Sequence, residues 1–339
     1  MTIRRQVWTR AGMVLVAVSC AALVSLSPQG AVAQEGGDES DFVNRSLPNP
    51  TGEAILNWAP LPDNRVWGST AGIDIGPDGH VWAYDRCGGL GLAGGCEANP
   101  TRDPVFKFNK DTGAVMESFG AGLFVLPHGI HVDDDGNVWV TDSQGNEGGT
   151  KGHQVIKFSP EGEELMRLGT AGQAGSGPDH FNQPCDVITA PNGDIFVADG
   201  HSGQNADVAP PGSTGRIMKF TADGEFIMQW GSTGREYGEF RDPHALAMDS
   251  NGRLFIGDRG NNRIQIFTQN GEHLETWTQF GRPSGLFIDH NDMLYAADSE
   301  SNLTWGMNRG YLRGIYIGSA IDGFVGVDRN CDDRCGLFR

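Results

Sequence analysis

The sequence predicts an all-β chain folded as a β-propeller, and three observations predict it. Glycine is abundant (50 residues) and charged residues are modest (20%) in a chain of 339, a balance that suits many short strands joined by tight turns. No long segment carries apolar residues at helical spacing. One pattern recurs five times: GIDIGPDGHVWAYD, GIHVDDDGNVWVTD, DVITAPNGDIFVAD, ALAMDSNGRLFIGD and GLFIDHNDMLYAAD, closing at Asp85, Asp142, Asp199, Asp258 and Asp298.

Each unit reads as an apolar strand, a turn rich in Asp, Asn and Gly, and a second strand closed by aspartate. In four units a further hairpin follows, as in PVFKFNKDTGAVMESFG, QVIKFSPEGEELMRLG, RIMKFTADGEFIMQWG and RIQIFTQNGEHLETW, each turning at a Gly-containing pair. Four antiparallel strands in a repeat of about 40 residues or more make a propeller blade. The longer steps are filled by loops such as CGGLGLAGGCEANPTRD and HSGQNADVAPPGSTG, where function tends to sit. Sharing one repeat position, the five closing aspartates read as turn caps rather than catalysts, because short acids satisfy turn amides.

The pattern resembles NHL repeats, which build six-bladed propellers. The resemblance covers residues 65 to about 318 and implies a six-bladed ring whose last blade is incomplete or divergent, since IDGFVGVDRNCDDRCGLFR does not match a full unit. Residues EAILNWAPLPDNRVW then offer one strand toward the sixth blade.

The termini divide the chain further. Arg4, Arg5 and Arg10 precede an apolar run from Ala11 to Leu26, and AVA at 31–33 offers small residues for cleavage before Gln34. Residues 1–33 therefore read as a signal peptide, 34–52 as a disordered leader and 53–339 as the propeller, in a secreted or periplasmic protein. Arg4-Arg5 as a twin-arginine signal and Cys20 as a lipidation site are the variants of export. The apolar run is short for a membrane span. Cleavage removes three arginines and no acid, taking the formal charge below −18, which argues against nucleic acid or an anionic membrane as partner. A monomer acting on a small-molecule or peptide substrate is expected. An exported chain keeps disulfides. Cys87 and Cys96 bracket a glycine-rich loop and are the favoured pair; Cys331 and Cys335 offer another, leaving Cys185 free.

Four blades begin their inner strand after a proline: LPHGI, QPCDV, DPHAL and RPSGL. Equivalent positions surround the channel, and their occupants are His128, Cys185, His244 and Ser284. Two inward imidazoles at a channel mouth could begin a metal site, or each could simply bond a neighbouring strand end. His131, three along from His128, faces the other way.

Residues 66 to 270 resemble, in order, segments of the peptidyl-α-hydroxyglycine α-amidating lyases: LFVLPHGIHVDDDGNVWVTD, HFNQPCDVITAPNGDIFVADG and GEFRDPHALAM followed by GDRGNNRIQIF. The resemblance implies zinc, or another divalent transition metal, on His128 and His244; an active-site arginine at Arg86; and calcium on the backbone carbonyls of Ile73 and Ile130. The family's third zinc histidine lies in the last blade, which has no match here, and its active-site tyrosine is replaced by His201. His201 is thus a third ligand, a catalytic base beside two ligands, or a loop histidine. His180 reads as packing or capping its loop. Three functions follow: a metal-dependent lyase cleaving an α-hydroxyglycine-type hemiaminal to amide and glyoxylate; a non-catalytic exported propeller binding a ligand or protein; and a calcium-dependent lactonase or esterase, disfavoured because the inner strand ends carry His, Cys, His and Ser rather than acids and amides.

Overall fold

The computed structural model describes residue 55 and residues 57–89, 95–203, 210–301, 311 and 313–325. Residues 1–33 and 34–52, read from the sequence as signal peptide and leader, and Cys331 and Cys335 lie outside the described residues.

Four antiparallel four-stranded sheets follow one another in strict sequence order. The first comprises β1 (Thr70–Ile75), β2 (Val81–Asp85), β3 (Val105–Phe108) and β4 (Val115–Phe119). The second comprises β5 (Pro127–Val132), β6 (Val138–Asp142), β7 (Gln154–Phe158) and β8 (Glu164–Leu168). The third comprises β9 (Pro184–Thr189), β10 (Ile195–Asp199), β11 (Arg216–Phe220) and β12 (Phe226–Trp230). A short parallel pair, β13 (Ser232–Thr233) and β14 (Glu239–Phe240), leads into the fourth: β15 (Pro243–Met248), β16 (Leu254–Asp258), β17 (Arg263–Phe267) and β18 (His273–Trp277). The fifth has three strands, β19 (Pro283–Ile288), β20 (Met293–Asp298) and β21 (Gly314–Ser319). The first strand of each sheet touches the first strand of the next, from β1 through β5, β9 and β15 to β19. This is the all-β propeller the repeat predicts.

Alternating strand positions fill the spaces between blades. Trp82, Tyr84 and Val105 of the first blade meet Ile130, Val138 and Val140 of the second. Phe196 and Ile217 of the third meet Leu246 and Ile256 of the fourth. Phe255, Ile264 and Ile266 of the fourth meet Leu294 and Tyr316 of the fifth.

The expectation of six blades is corrected to five among the described residues. The described residues of EAILNWAPLPDNRVW provide no strand: Pro60 and Pro62 lack the N–H a ladder needs, and Pro62–Asn64 forms a 3₁₀ turn. Instead Trp58, Ala59, Leu61 and Trp67 pack on Ala83, Phe106 and Phe108, covering the face of the first blade that turns away from the second. The inner strand stays uncovered there: Ile73 and Ile75 are 70% and 55% exposed, whereas Ile130 and Val132, their equivalents in the second blade, are 6% and 7% exposed.

The closing aspartates do cap, and over a consistent span. Each is buried and accepts a backbone N–H from 16 or 17 residues earlier: Gly68 to Asp85, Leu126 to Asp142, Asn182 to Asp199, Arg241 to Asp258 and Arg282 to Asp298, at 2.7–2.9 Å. Asp142 also takes Val125 N–H at 3.0 Å. The carboxylate ties the end of the second strand to the entrance of the first. Asp142→Ala leaves two buried N–H groups without an acceptor and is expected to cost roughly 2–4 kcal/mol in urea unfolding; a loss within the error of the melt contradicts this role.

Candidate metal centre and active site

Each clamp ties the end of a second strand to the entrance of a first strand, and residues beside the clamps build the site. His128 follows Pro127 on β5 and His244 follows Pro243 on β15. At both, the ladder with the second strand slips, between Pro127 and Ile130 and between Pro243 and Ala245. Such bulges re-aim side chains. His201 opens a 3₁₀ turn just beyond Asp199, where Gly200 adopts φ +143°, a conformation open to glycine.

The three imidazoles come together. Ring centroids lie 4.6 Å (His128–His244), 4.8 Å (His128–His201) and 5.2 Å (His201–His244) apart. One nitrogen from each falls within 4.8 Å of the others, and all three residues are buried. His128 Nδ1 donates to Cys185 O at 2.7 Å and His244 Nδ1 donates to Ser284 O at 2.7 Å. Each acceptor is the residue at the histidine's own repeat position in the next blade. A carbonyl only accepts, so Nδ1 carries the hydrogen in both and Nε2 keeps its lone pair. His128 Nε2 is buried without a hydrogen-bond partner. Gly129 lets this happen, since a Cβ there would stand 2.5 Å from Cys185 O.

Burial, then neighbouring His201 and the Arg86 and Arg259 charges, holds His128 well below the usual imidazole range. Burial and Arg259 do the same to His244, and push His201 down to about 3. All three are neutral at neutral pH, the form that ligates metal. An orphaned buried Nε2, two preset tautomers and a third imidazole in reach fit a divalent transition ion.

Two arginines flank the cluster. Arg86, directly after Asp85, donates Nε to Pro127 O at 3.0 Å; burial and the nearby Arg259 charge lower it to about 10. Cys87, beside it, forms the expected disulfide with Cys96, and Cys185 is free and buried. Arg259 holds the same position after Asp258. Its Nε donates to Asp242 Oδ2 at 2.7 Å, its Nη1 to Glu300 Oε1 at 3.3 Å, and its Nη2 approaches His201 Nδ1 at 3.4 Å. Arg282 Nε donates to the other Glu300 oxygen at 2.8 Å.

Sequence reasoning brought Arg86, His128, His201 and His244 forward, and they do meet. It missed Arg259, Asp242, Arg282 and Glu300. Aligning the repeats on the closing aspartate exposes three of them: Arg259 matches Arg86 where other blades have Ser143, Gly200 and Ser299, while Asp242 and Arg282 precede the proline where other blades have Leu126 and Gln183. His131 stays outside the cluster, with Asp74 Oδ2 at 3.2 Å and Thr189 Oγ1 at 2.9 Å. His180 serves its loop, its carbonyl accepting from Arg216 Nη2 at 2.8 Å. Ile73 and Ile130 hold matching places on β1 and β5, where the nearby Asp74 already accepts from the Ile75 and Val132 N–H groups.

Comparison with known proteins shows what the chain is similar to. An NHL repeat model matches residues 240–267. Peptidyl-glycine alpha-amidating monooxygenase B of Xenopus laevis is 42% identical over 166 residues, covering 47% of this chain and 17% of that protein. Peptidyl-alpha-hydroxyglycine alpha-amidating lyase 1 of Drosophila melanogaster is 37% identical over 213 residues, covering 59% of this chain and 33% of that protein. The chain thus spans a third or less of the length of these two relatives. Among solved structures, a gluconolactonase of Xanthomonas campestris superposes with a TM-score of 0.51 at 14% identity, over 76% of this chain and 74% of that one, a likeness of fold alone.

The histidines make acid stability readable. His201 takes a proton at 6.5 when unfolded but only near 3 when folded, so the unfolded state binds more protons between these values and stability falls as pH drops through 6.5. In metal-free protein, urea unfolding at pH 7.5 and 5.0 should show wild type losing about 2 kcal/mol more than His201→Gln. Equal losses contradict the buried neutral imidazole.

Proposed function

We propose that this chain is a metal-dependent lyase that cleaves the C–N bond of an N-acyl-α-hydroxyglycine, a hemiaminal, into a primary amide and glyoxylate. The observation that carries the proposal is the trio His128, His201 and His244, two of its members locked with Nε2 free, in a chain similar to proteins named for that reaction. His128 and His244 would hold the ion with His201 as third ligand. A bound zinc or similar divalent ion supplies Lewis acidity that lowers the pKa of the substrate hydroxyl.

The chain's own residues do the rest. Arg86 and Arg259 are fixed cations beside the cluster, in a protein that is otherwise strongly acidic. They would take the substrate carboxylate by charge-assisted hydrogen bonds and stabilise negative charge as the hydroxyl proton departs. The oxygen's electrons form the carbonyl of glyoxylate, the C–N pair leaves with nitrogen, and the amide nitrogen gains the proton the oxygen lost. Atoms balance without water or a redox partner. The buried setting keeps these charges strong.

The Cys87–Cys96 disulfide supports the proposal that the protein works after export, secreted or periplasmic. No helix among the described residues is long and apolar enough to cross a membrane. Calcium on the carbonyls of Ile73 and Ile130 rests on the family resemblance, and no step above uses it.

Metal analysis of untagged protein, with glyoxylate release from an N-acyl-α-hydroxyglycine, tests the reading. Near-stoichiometric transition metal and turnover are expected. His128→Ala and His244→Ala should each weaken metal binding by more than about a hundredfold, beyond what outer-shell changes do, and abolish turnover. His201→Ala should lose metal as well; loss of turnover with metal retained would make His201 the base instead. A wild type that takes up no metal would leave a binding propeller.

A further inference from the structure

We propose that Asp242 is a positioning residue for the third histidine: its carboxylate fixes His201 with the hydrogen on Nδ1, so that Nε2 is the ligating nitrogen. The inference rests on the metal-centre reading above and assigns a residue that the family resemblance does not supply.

The repeat is its own control. The residue before the inner-strand proline is Leu126 in the second blade and Gln183 in the third, so a blade folds without a carboxylate there. In the fourth blade the position holds Asp242, fully buried and turned to the cluster. Its Oδ1 lies 3.7 Å from His201 Nδ1 and accepts from Cys185 Sγ at 3.9 Å. Its Oδ2 accepts from Arg259 Nε at 2.7 Å.

The three histidines are therefore held differently. His128 and His244 give Nδ1–H to backbone carbonyls, which fixes their tautomers as part of the fold. His201 Nδ1 faces two side chains with opposite demands, and the ring has its own backbone oxygen beside it as a further acceptor. Arg259 Nη2, at 3.4 Å, can only donate and asks Nδ1 to accept, which would put the hydrogen on Nε2 and disable that nitrogen as a ligand. Asp242 can only accept and asks Nδ1 to donate. The carboxylate settles the contest twice over: it offers His201 an acceptor within a small ring rotation, and it holds Arg259 by Nε. Carboxylate–histidine–metal relays of this kind orient the ring and raise its basicity. An Asn at 242 keeps the shape but cannot accept on both sides at once.

Zinc affinity, measured by titration against a chromophoric chelator, tests this on wild type, Asp242→Asn, His201→Ala and the double variant, with far-UV circular dichroism checking the fold. Asp242→Asn is expected to weaken zinc binding 10–100-fold, and the double variant to bind no more weakly than His201→Ala alone, because Asp242 acts through His201. Additive losses indicate a general structural role and overturn the proposal, as does an Asp242→Asn affinity equal to wild type while His201→Ala still loses zinc. No zinc uptake by wild type overturns the metal reading and this proposal with it. Long-range ¹⁵N–¹H correlation spectra of zinc-loaded wild type need no variant: a hydrogen on His201 Nδ1 supports the assignment, and one on Nε2 overturns it.

Discussion

Everything at the active end of this propeller hangs on one interaction, the buried aspartate at the end of each second strand that holds the backbone at the entrance to the first. The residues next to that clamp are the residues of the site. Arg86 and Arg259 directly follow Asp85 and Asp258; His201 lies two beyond Asp199; His128 lies two beyond Leu126, whose N–H Asp142 holds; Asp242 directly follows Arg241, whose N–H Asp258 holds. A structural device repeated five times thus ties five second-strand ends to five first-strand entrances. The residue types beside the clamp differ from blade to blade, which is how one scaffold hosts different chemistries.

The site is polarised against the rest of the molecule. The chain is acidic overall, yet at this end buried arginines surround three neutral imidazoles, with Asp242 and Glu300 as counter-ions. Burying guanidinium groups is costly unless each is paired, and Arg259 and Arg282 are paired through the shared carboxylate of Glu300. Burial first, and the neighbouring cations after it, hold the histidines unprotonated.

Much of this was legible in the sequence because the repeat supplies its own reference. Histidines at 128 and 244 stand out where Cys185 and Ser284 show that none is needed, and the aspartates announce themselves by recurrence. His201 was visible as a departure from the family resemblance, though its approach to the other two required the fold. The ladder slips at Pro127 and Pro243 were hidden, since a bulge depends on pairing between strands rather than on local pattern. The sixth blade is not found among the described residues: Trp58, Leu61 and Trp67 have the apolar character of a strand, but Pro60 and Pro62 interrupt a ladder there, and these residues cover the first blade by packing. Asp242 and Glu300 went unnoticed because a lone acid in a loop resembles any solvated one until its partners are placed.

The central claim is that three imidazoles hold one ion at the mouth of the channel. Zinc K-edge X-ray absorption on the loaded protein tests it most directly by counting ligands and their kind. The account predicts three imidazole nitrogens at about 2.0–2.1 Å with the remaining position taken by a light atom. A shell with a sulfur at about 2.3 Å, drawing in Cys185, or with fewer than two imidazoles would contradict it.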